Sequence, residues 1–223
     1  MMLGARTGAW SPSGAPLPYD AEVEWIESTG QQWIDTGILA HAPLTFKCTA
    51  RYSYDGVFSN NDIWGCSVRT PTHHFTPFQG NKSDGLLILG AYTTYKQSVK
   101  GIFIKDVWAT ITSVIDAPIS TMSLDGTTVI SISGLSIASI NIDMTLPLFV
   151  RRHSINGIVY GGVSLAMASC ELSKDGVYVR DLIPVRFTNE NGNSEGAMFD
   201  KVSGQLFRNA GNGSFVIGPD KTA

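Results

Sequence analysis

Charge is what this sequence has least of. Asp, Glu, Lys and Arg make up 16% of its 223 residues, where an ordinary soluble domain carries about 25%. The net charge is −3, and the 16 basic residues are scattered along the chain instead of forming a stripe. Nothing here could neutralise a run of phosphates, which argues against nucleic acid as a partner. Long apolar runs are missing too. Leu86-Leu87-Ile88-Leu89 is among the longest, far below the roughly 18 residues that a membrane span needs. The N-terminus also lacks the apolar centre, roughly 7–15 residues long, of a secretory signal. The chain is therefore expected to act where it is made, or to leave by a route other than standard secretion.

Cysteine is scarce. Cys48, Cys66 and Cys170 are odd in number and far apart, which suits neither a disulfide framework nor a close-spaced metal site. In residues 44–52 the even positions read Leu, Phe, Cys, Ala, Tyr and the odd ones Thr, Lys, Thr, Arg. Strict alternation puts Cys48 on the buried face of a strand, and Cys170 follows the same rule with Ala166, Ala168 and Leu172. Both are expected to be reduced core thiols.

Helical signals are absent as well. No segment repeats apolar residues at i, i+3, i+4 and i+7 over three turns. Ser and Thr together number 40 and Glu only six, so hydroxyls and amides face the water in place of helix-favouring Lys and Glu. Turn dipeptides are plentiful. Asp-Gly occurs at 55–56, 84–85, 125–126 and 175–176, and Asn-Gly at 156–157, 191–192 and 212–213; both favour hairpin turns with positive φ. Strands are expected near 23–27, 32–38, 44–54, 62–69, 73–79, 86–98, 102–104, 107–115, 119–124, 127–133, 146–151, 158–172, 177–187, 197–200, 205–208 and 214–217. With no crossover helices between them, they specify an all-β fold, an antiparallel β-sandwich. Residues 1–20 are rich in Gly, Ala, Ser and Pro and read as an extended arm, leaving 21–223 as the sandwich.

Three segments carry a family resemblance. Val23-Glu-Trp-Ile-Glu-Ser-Thr-Gly-Gln-Gln-Trp-Ile-Asp-Thr-Gly37 resembles the opening of the concanavalin-like, laminin-G-like jelly rolls of gut bacteria and their phages. Trp108-Ala-Thr-Ile-Thr with Ser123-Leu-Asp-Gly-Thr-Thr-Val129 is similar to the central strand pair of laminin-G-like domains. Val179-Arg-Asp-Leu-Ile-Pro-Val-Arg186, Ala197-Met-Phe-Asp-Lys-Val-Ser-Gly-Gln-Leu-Phe207 and Asn212-Gly-Ser-Phe215 resemble the closing strands. The resemblance frames about residues 21–218. It implies two packed antiparallel sheets of about six or seven strands each, a fold that serves lectins, glycan hydrolases, adhesive modules and virion parts alike. Trp25, Trp33 and Trp108 fall in its structural motifs and read as core.

Catalysis finds little footing. Jelly-roll glucanases set two carboxylates about 5 Å apart on one strand face, from a Glu-x-Asp-x-Glu pattern. The nearest approach here, Glu22-Val-Glu24-Trp-Ile-Glu27, has the wrong spacing. No nucleophile elbow or phosphate loop is present. The chain is read as non-enzymatic and without a cofactor. His73 and His74 are adjacent, so on a strand they face opposite sides and cannot share one metal. Asn60, Asn61 and Asp62 could offer calcium a few oxygens, but read first as turn residues.

Glycan recognition fits better, because sugars are held by a stacked ring with a few planar polar groups. Two clusters supply both: Trp64, Arg69, His73, His74, Phe75 and Phe78, and Arg151, Arg152, His153, Asn156 and Tyr160, with Tyr92 and Tyr95 on a nearby hairpin. From these, Trp64, Arg69, His74, Tyr95, Arg152, His153 and Asn156 are the candidate ligand residues. The leading expectation is a phage virion component, a fibre, tail or capsid-decoration protein. Its arm 1–20 would contact other virion proteins, and it would form a homo-oligomer, with a trimer the first guess, that binds a host surface glycan. The alternative is a bacterial lectin-like module at the cell surface or outside it.

Overall fold

Residues 44–52 alternate because one side of their strand is a core and the other is solvent, and the computed structural model of the chain bears this out. It describes residues 16–53, 61–69, 72–79, 85–92, 94–136, 142–153, 159–160 and 164–222. The strands are β1 (Ala21–Glu22), β2 (Ile26–Thr29), β3 (Ile34–Ala40), β4 (Leu44–Tyr52), β5 (Asn61–Asp62), β6 (Cys66–Arg69) and β7 (Thr72–Gln79). Then come β8 (Leu87–Tyr92), β9 (Thr94–Gln97), β10 (Ala109–Ile115), β11 (Ile119–Leu124), β12 (Thr127–Ser133) and β13 (Ile142–Leu148). The chain closes with β14 (Arg151–His153), β15 (Val159–Tyr160), β16 (Ser164–Lys174), β17 (Val177–Thr188), β18 (Ser194–Asp200), β19 (Leu206–Phe207) and β20 (Val216–Ile217). Among the described residues there is no helix, and so none long and apolar enough to cross a membrane.

The protein is an all-β sandwich. The larger sheet runs β12-β11-β10-β4-β16-β17-β18-β19, with β1 beside β17 and β2 and β20 beside β16. The facing layer runs β15-β14-β6-β7-β8-β9, and the pair β13-β3 joins it through the Trp64–Leu148 bridge. Leu44, Phe46, Cys48, Ala50 and Tyr52 all point between the layers and are buried. Opposite them lie Ile111, Cys170, Leu172 and, from the other layer, Trp64, whose ring stacks on Phe46 with centroids 4.3 Å apart. Burying each large side chain there is worth roughly 1.5–3 kcal/mol.

Turn chemistry delivers the hairpins. Asp125 and Gly126 (φ 47° and 82°) close β11 on β12, and Asp175 and Gly176 (φ 50° and 77°) close β16 on β17. Positive φ at both positions is the two-residue turn that Asp-Gly favours. Several of the expected strands differ; residues 62–69, for one, hold two strands, β5 and β6. Residues 86–98 form two strands, β8 and β9, paired as a hairpin. Residues 102–104 form a bend instead of a strand, held because Phe103 is fully buried and its N–H donates to the Gly85 carbonyl.

Part of the segment 1–20 packs on the sandwich. Tyr19 is buried, its ring edge-on to Phe199 at 5.0 Å, in a small apolar cluster with Ile183, Val185, Phe187 and Ala197. That cluster lies on the face of β17 opposite the main core, since Leu182 points one way and Ile183 the other. Of residues 1–20, to which the anchoring role is assigned, 1–15 lie outside the described residues.

The tryptophans trade places. Trp64, expected at a surface site, is fully buried. Trp108, expected in the core, is 36% exposed, and Trp25 and Trp33 are only half-buried. Parity explains the exchange. Ile26, Ile34 and Ala109 take the inward positions, so the tryptophan before each one faces out.

Two expectations follow. Trp64→Ala should destabilise the domain by roughly 3–5 kcal/mol through a core cavity, while Trp108→Ala should cost only about 1 kcal/mol, both read from urea unfolding. Equal losses would contradict this placement. The three cysteines are free and buried, with Cys48 and Cys66 pushed up to about 12 by burial. Thiol reagent should therefore count none in the native protein and three in denaturant.

Candidate functional site

Two loops meet at one end of the sandwich, residues 30–33 and 209–213, and they are laced together from the inside. Gln32 is buried, and its side chain accepts from the Thr29 N–H at 2.7 Å and donates to the Asn212 carbonyl at 3.1 Å. Asn209 accepts from the Trp33 and Gly211 N–H groups and donates to the Gly213 carbonyl. The Ala210 N–H reaches the Trp33 carbonyl at 2.8 Å, and the Asn212 N–H reaches that of Gln31 at 3.1 Å. Because Gln32 turns inward, Gln31 and Trp33 on either side of it face outward.

The result is a cleft of about 310 Å³ lined by Gly30, Gln31, Trp33, Val150, Ala210, Gly211 and Asn212. Gly211 has no room for a side chain. A Cβ there would sit 2.0 Å from the Gln31 carbonyl oxygen and 2.7 Å from Trp33 Cδ1. Beneath the cleft, Phe149 holds φ 70° beside Val150 and packs on Phe215 at 5.1 Å. A left-handed backbone at a bulky residue costs about 1–3 kcal/mol and persists only where the surroundings fix it.

Arg152 supports the indole. Its guanidinium lies 5.2 Å from the Trp33 ring centroid and donates to Asp35 at 2.7 Å. Thr145 donates to the same carboxylate oxygen at 2.9 Å and accepts a short hydrogen bond from Arg152. Burial raises Asp35, but the Gly37 N–H, Arg152 and Thr145 more than offset it and hold the carboxyl below its usual value. The cleft is therefore built from one indole, two free amides and a neutralised ion pair, which is the equipment for stacking and hydrogen-bonding an uncharged polar ring.

The other expected residues scatter. His153 is half-buried on β14. Sheet register places it in one row with Ser67, His74 and Tyr92, so the two sequence clusters do become neighbours. The side chains of Arg69 and His74 lie outside the described set, as does Asn156. Tyr95 is 57% exposed on β9, opposite Gly90 and far along the sheet from Arg152. Trp64 is a core residue and offers no ring face to a ligand. Of the seven candidates, Arg152 alone is tied to the cleft among the described side chains. Trp33, Gln31 and Asn212 were not among them. Strand parity next to Ile34, and Asn-Gly at 212–213, were the signals that could have found them.

One residue from Arg152 sits an unusual pair. Asp62 is fully buried, neither carboxylate oxygen has a hydrogen-bond partner among the described residues, and Arg151 Nε is 3.5 Å away. Burial pushes Asp62 up to about 7 against the partial pull of Arg151. Among the described residues no group of three or more His, Cys, Asp or Glu gathers as a metal would need.

That pair predicts a pH dependence. An exposed aspartate titrates near 3.9 in the unfolded chain, so between about pH 4 and pH 7 the folded state holds a proton that the unfolded state has released. Stability therefore falls as pH rises through that window and levels off above it. Asp62→Asn should remove this fall, so its melting temperature should gain on the wild type from about pH 5 to about pH 7. A constant difference across that range would contradict a buried, uncompensated carboxyl.

Comparison with known proteins yields a fold and no family. No family model matches the chain, and no curated protein matches it. Among solved structures, a Bacteroides ovatus protein proposed to bind carbohydrate superposes with a TM-score of 0.58 at 12% sequence identity. The match covers 90% of this chain and 61% of that one, so the chain spans less than two thirds of its neighbour's length. At this identity the likeness establishes a shared β-sandwich fold.

Proposed function

We propose that this protein is a non-catalytic carbohydrate-binding module and that the Trp33 cleft is its site. The observation that carries the reading is the cleft's lining: an indole braced by a neutralised arginine, between the exposed amides of Gln31 and Asn212. Among the lining residues there is no carboxylate to act as acid or nucleophile, and glycoside hydrolysis needs two. The fold shared with the Bacteroides ovatus protein supports the lectin-like expectation over the virion one, because that protein is itself proposed to bind carbohydrate.

Binding at one cleft should be weak. A shallow site with few charge-assisted hydrogen bonds suits dissociation constants near millimolar, about −4 kcal/mol; multivalent display would raise the working affinity. The test is calorimetric titration of neutral oligosaccharides chosen from a glycan-array screen. Trp33→Ala should abolish binding and Asn212→Ala should weaken it about tenfold, with melting temperatures close to the wild type. Gly211→Ala should also abolish it, because a methyl group there displaces Trp33. Undiminished binding by Trp33→Ala would refute this site.

A further inference from the structure

The larger sheet's outer face carries a second aromatic and basic cluster, with a different charge balance. Arg51 points outward from β4, one position after inward Ala50. Its guanidinium lies 5.0 Å from the Trp108 ring centroid and 5.5 Å from that of Trp25. Trp108 is its cross-strand neighbour, one step beyond the Ala109–Ala50 pair. Trp25 is backed by the chain at Gly218, where a Cβ would come within 2.8 Å of the indole. Ala166, which pairs with Arg51 on the neighbouring strand, is buried on the same outer face. The arginine is thus held in place by two rings before any ligand arrives.

It is held without an anion. Arg152 in the cleft is neutralised by Asp35 at 2.7 Å, but among the described residues no carboxylate pairs with Arg51 and its Nε is buried with no acceptor. Glu27 shares the row through Ala166, yet takes its hydrogen bond from Ser53 Oγ. Stacking on indoles uses the faces of a guanidinium; Nε is buried beyond a ligand's reach, so the two terminal nitrogens are the N–H edge left to be filled. A carboxylate matches that planar fork with two parallel hydrogen bonds. The exposed part of Trp108 beside it suits the apolar face of a sugar ring.

We infer that Arg51, between Trp25 and Trp108, forms a second binding site, for a carboxylate-bearing sugar. The site lies on a different face from the Trp33 cleft and does not depend on it. Trigalacturonate is the probe, with its methyl ester as the uncharged control and acetate as the control for the carboxylate alone. By NMR titration, trigalacturonate should bind the wild type at least about tenfold more tightly than either control, with the preference over the ester shrinking in high salt. Arg51→Gln should remove the preference for acid over ester. Trp108→Ala should weaken trigalacturonate about tenfold while leaving the fold intact. Trp33→Ala should leave trigalacturonate affinity unchanged.

Equal affinity of the wild type and Arg51→Gln for trigalacturonate would overturn the inference, as would equal binding of the ester or of acetate. Absence of any trigalacturonate binding would overturn it too. If neutral oligosaccharides fail to bind while trigalacturonate binds through Arg51, the cleft reading falls and this one stands. The reverse pattern separates them the other way.

Discussion

The alternation of β4 constrains most of what this protein presents to solvent. Because Leu44, Phe46, Cys48, Ala50 and Tyr52 must enter the core, Thr45, Lys47, Thr49 and Arg51 must leave it, and a shift of one residue would bury a lysine and an arginine. The neighbours inherit that register. Ala109 faces Ala50 and Cys170 faces Cys48, so Trp108 falls beside Arg51 on the outer surface. The same parity at β3 sends Ile34 inward and Trp33 out to the cleft. Core packing thus decides where the aromatic rings go.

The cleft adds a second constraint, because a ring on a loop recognises nothing unless it is held. Gln32 does this from below with bonds to both loops, and Asn209 does it from the side. Gly211 lets the two backbones approach to a distance that a methyl group would forbid. Arg152, fixed by Asp35 and Thr145, stacks against the indole. Each of these restraints removes rotamer freedom before binding, which reduces the entropy that a weakly held ligand would otherwise have to offset.

Much of the fold was legible in the sequence, and the site only in part. Alternation over 44–52 gave β4 its face, and Asp-Gly at 125–126 and 175–176 gave two hairpins, because both signals are local. Trp25, Trp33 and Trp108 depart from the expectation drawn from the family motif because strand parity sets which way each ring faces. Trp25, Trp33 and Trp108 each precede an inward residue, and that signal was already present. Trp64 lacked such a guide, since its burial follows from a bridge to Leu148 and a stack on Phe46 from the other sheet. Sequence likewise could not show that residues 30–33 meet 209–213, or that Arg152 finds Asp35, 117 positions away. Contacts of that range are fixed by topology, which composition and periodicity do not encode.

The most direct test of the account is the behaviour of the indole N–H resonances. The chain has five tryptophans, so five such signals can be assigned by substitution and followed as a neutral oligosaccharide is added. The account predicts that the Trp33 signal moves with saturation while that of Trp64 stays fixed and protected from hydrogen exchange. A Trp64 signal that exchanges freely, or one that shifts with glycan while Trp33 does not, would contradict both the placement of the core and the site built upon it.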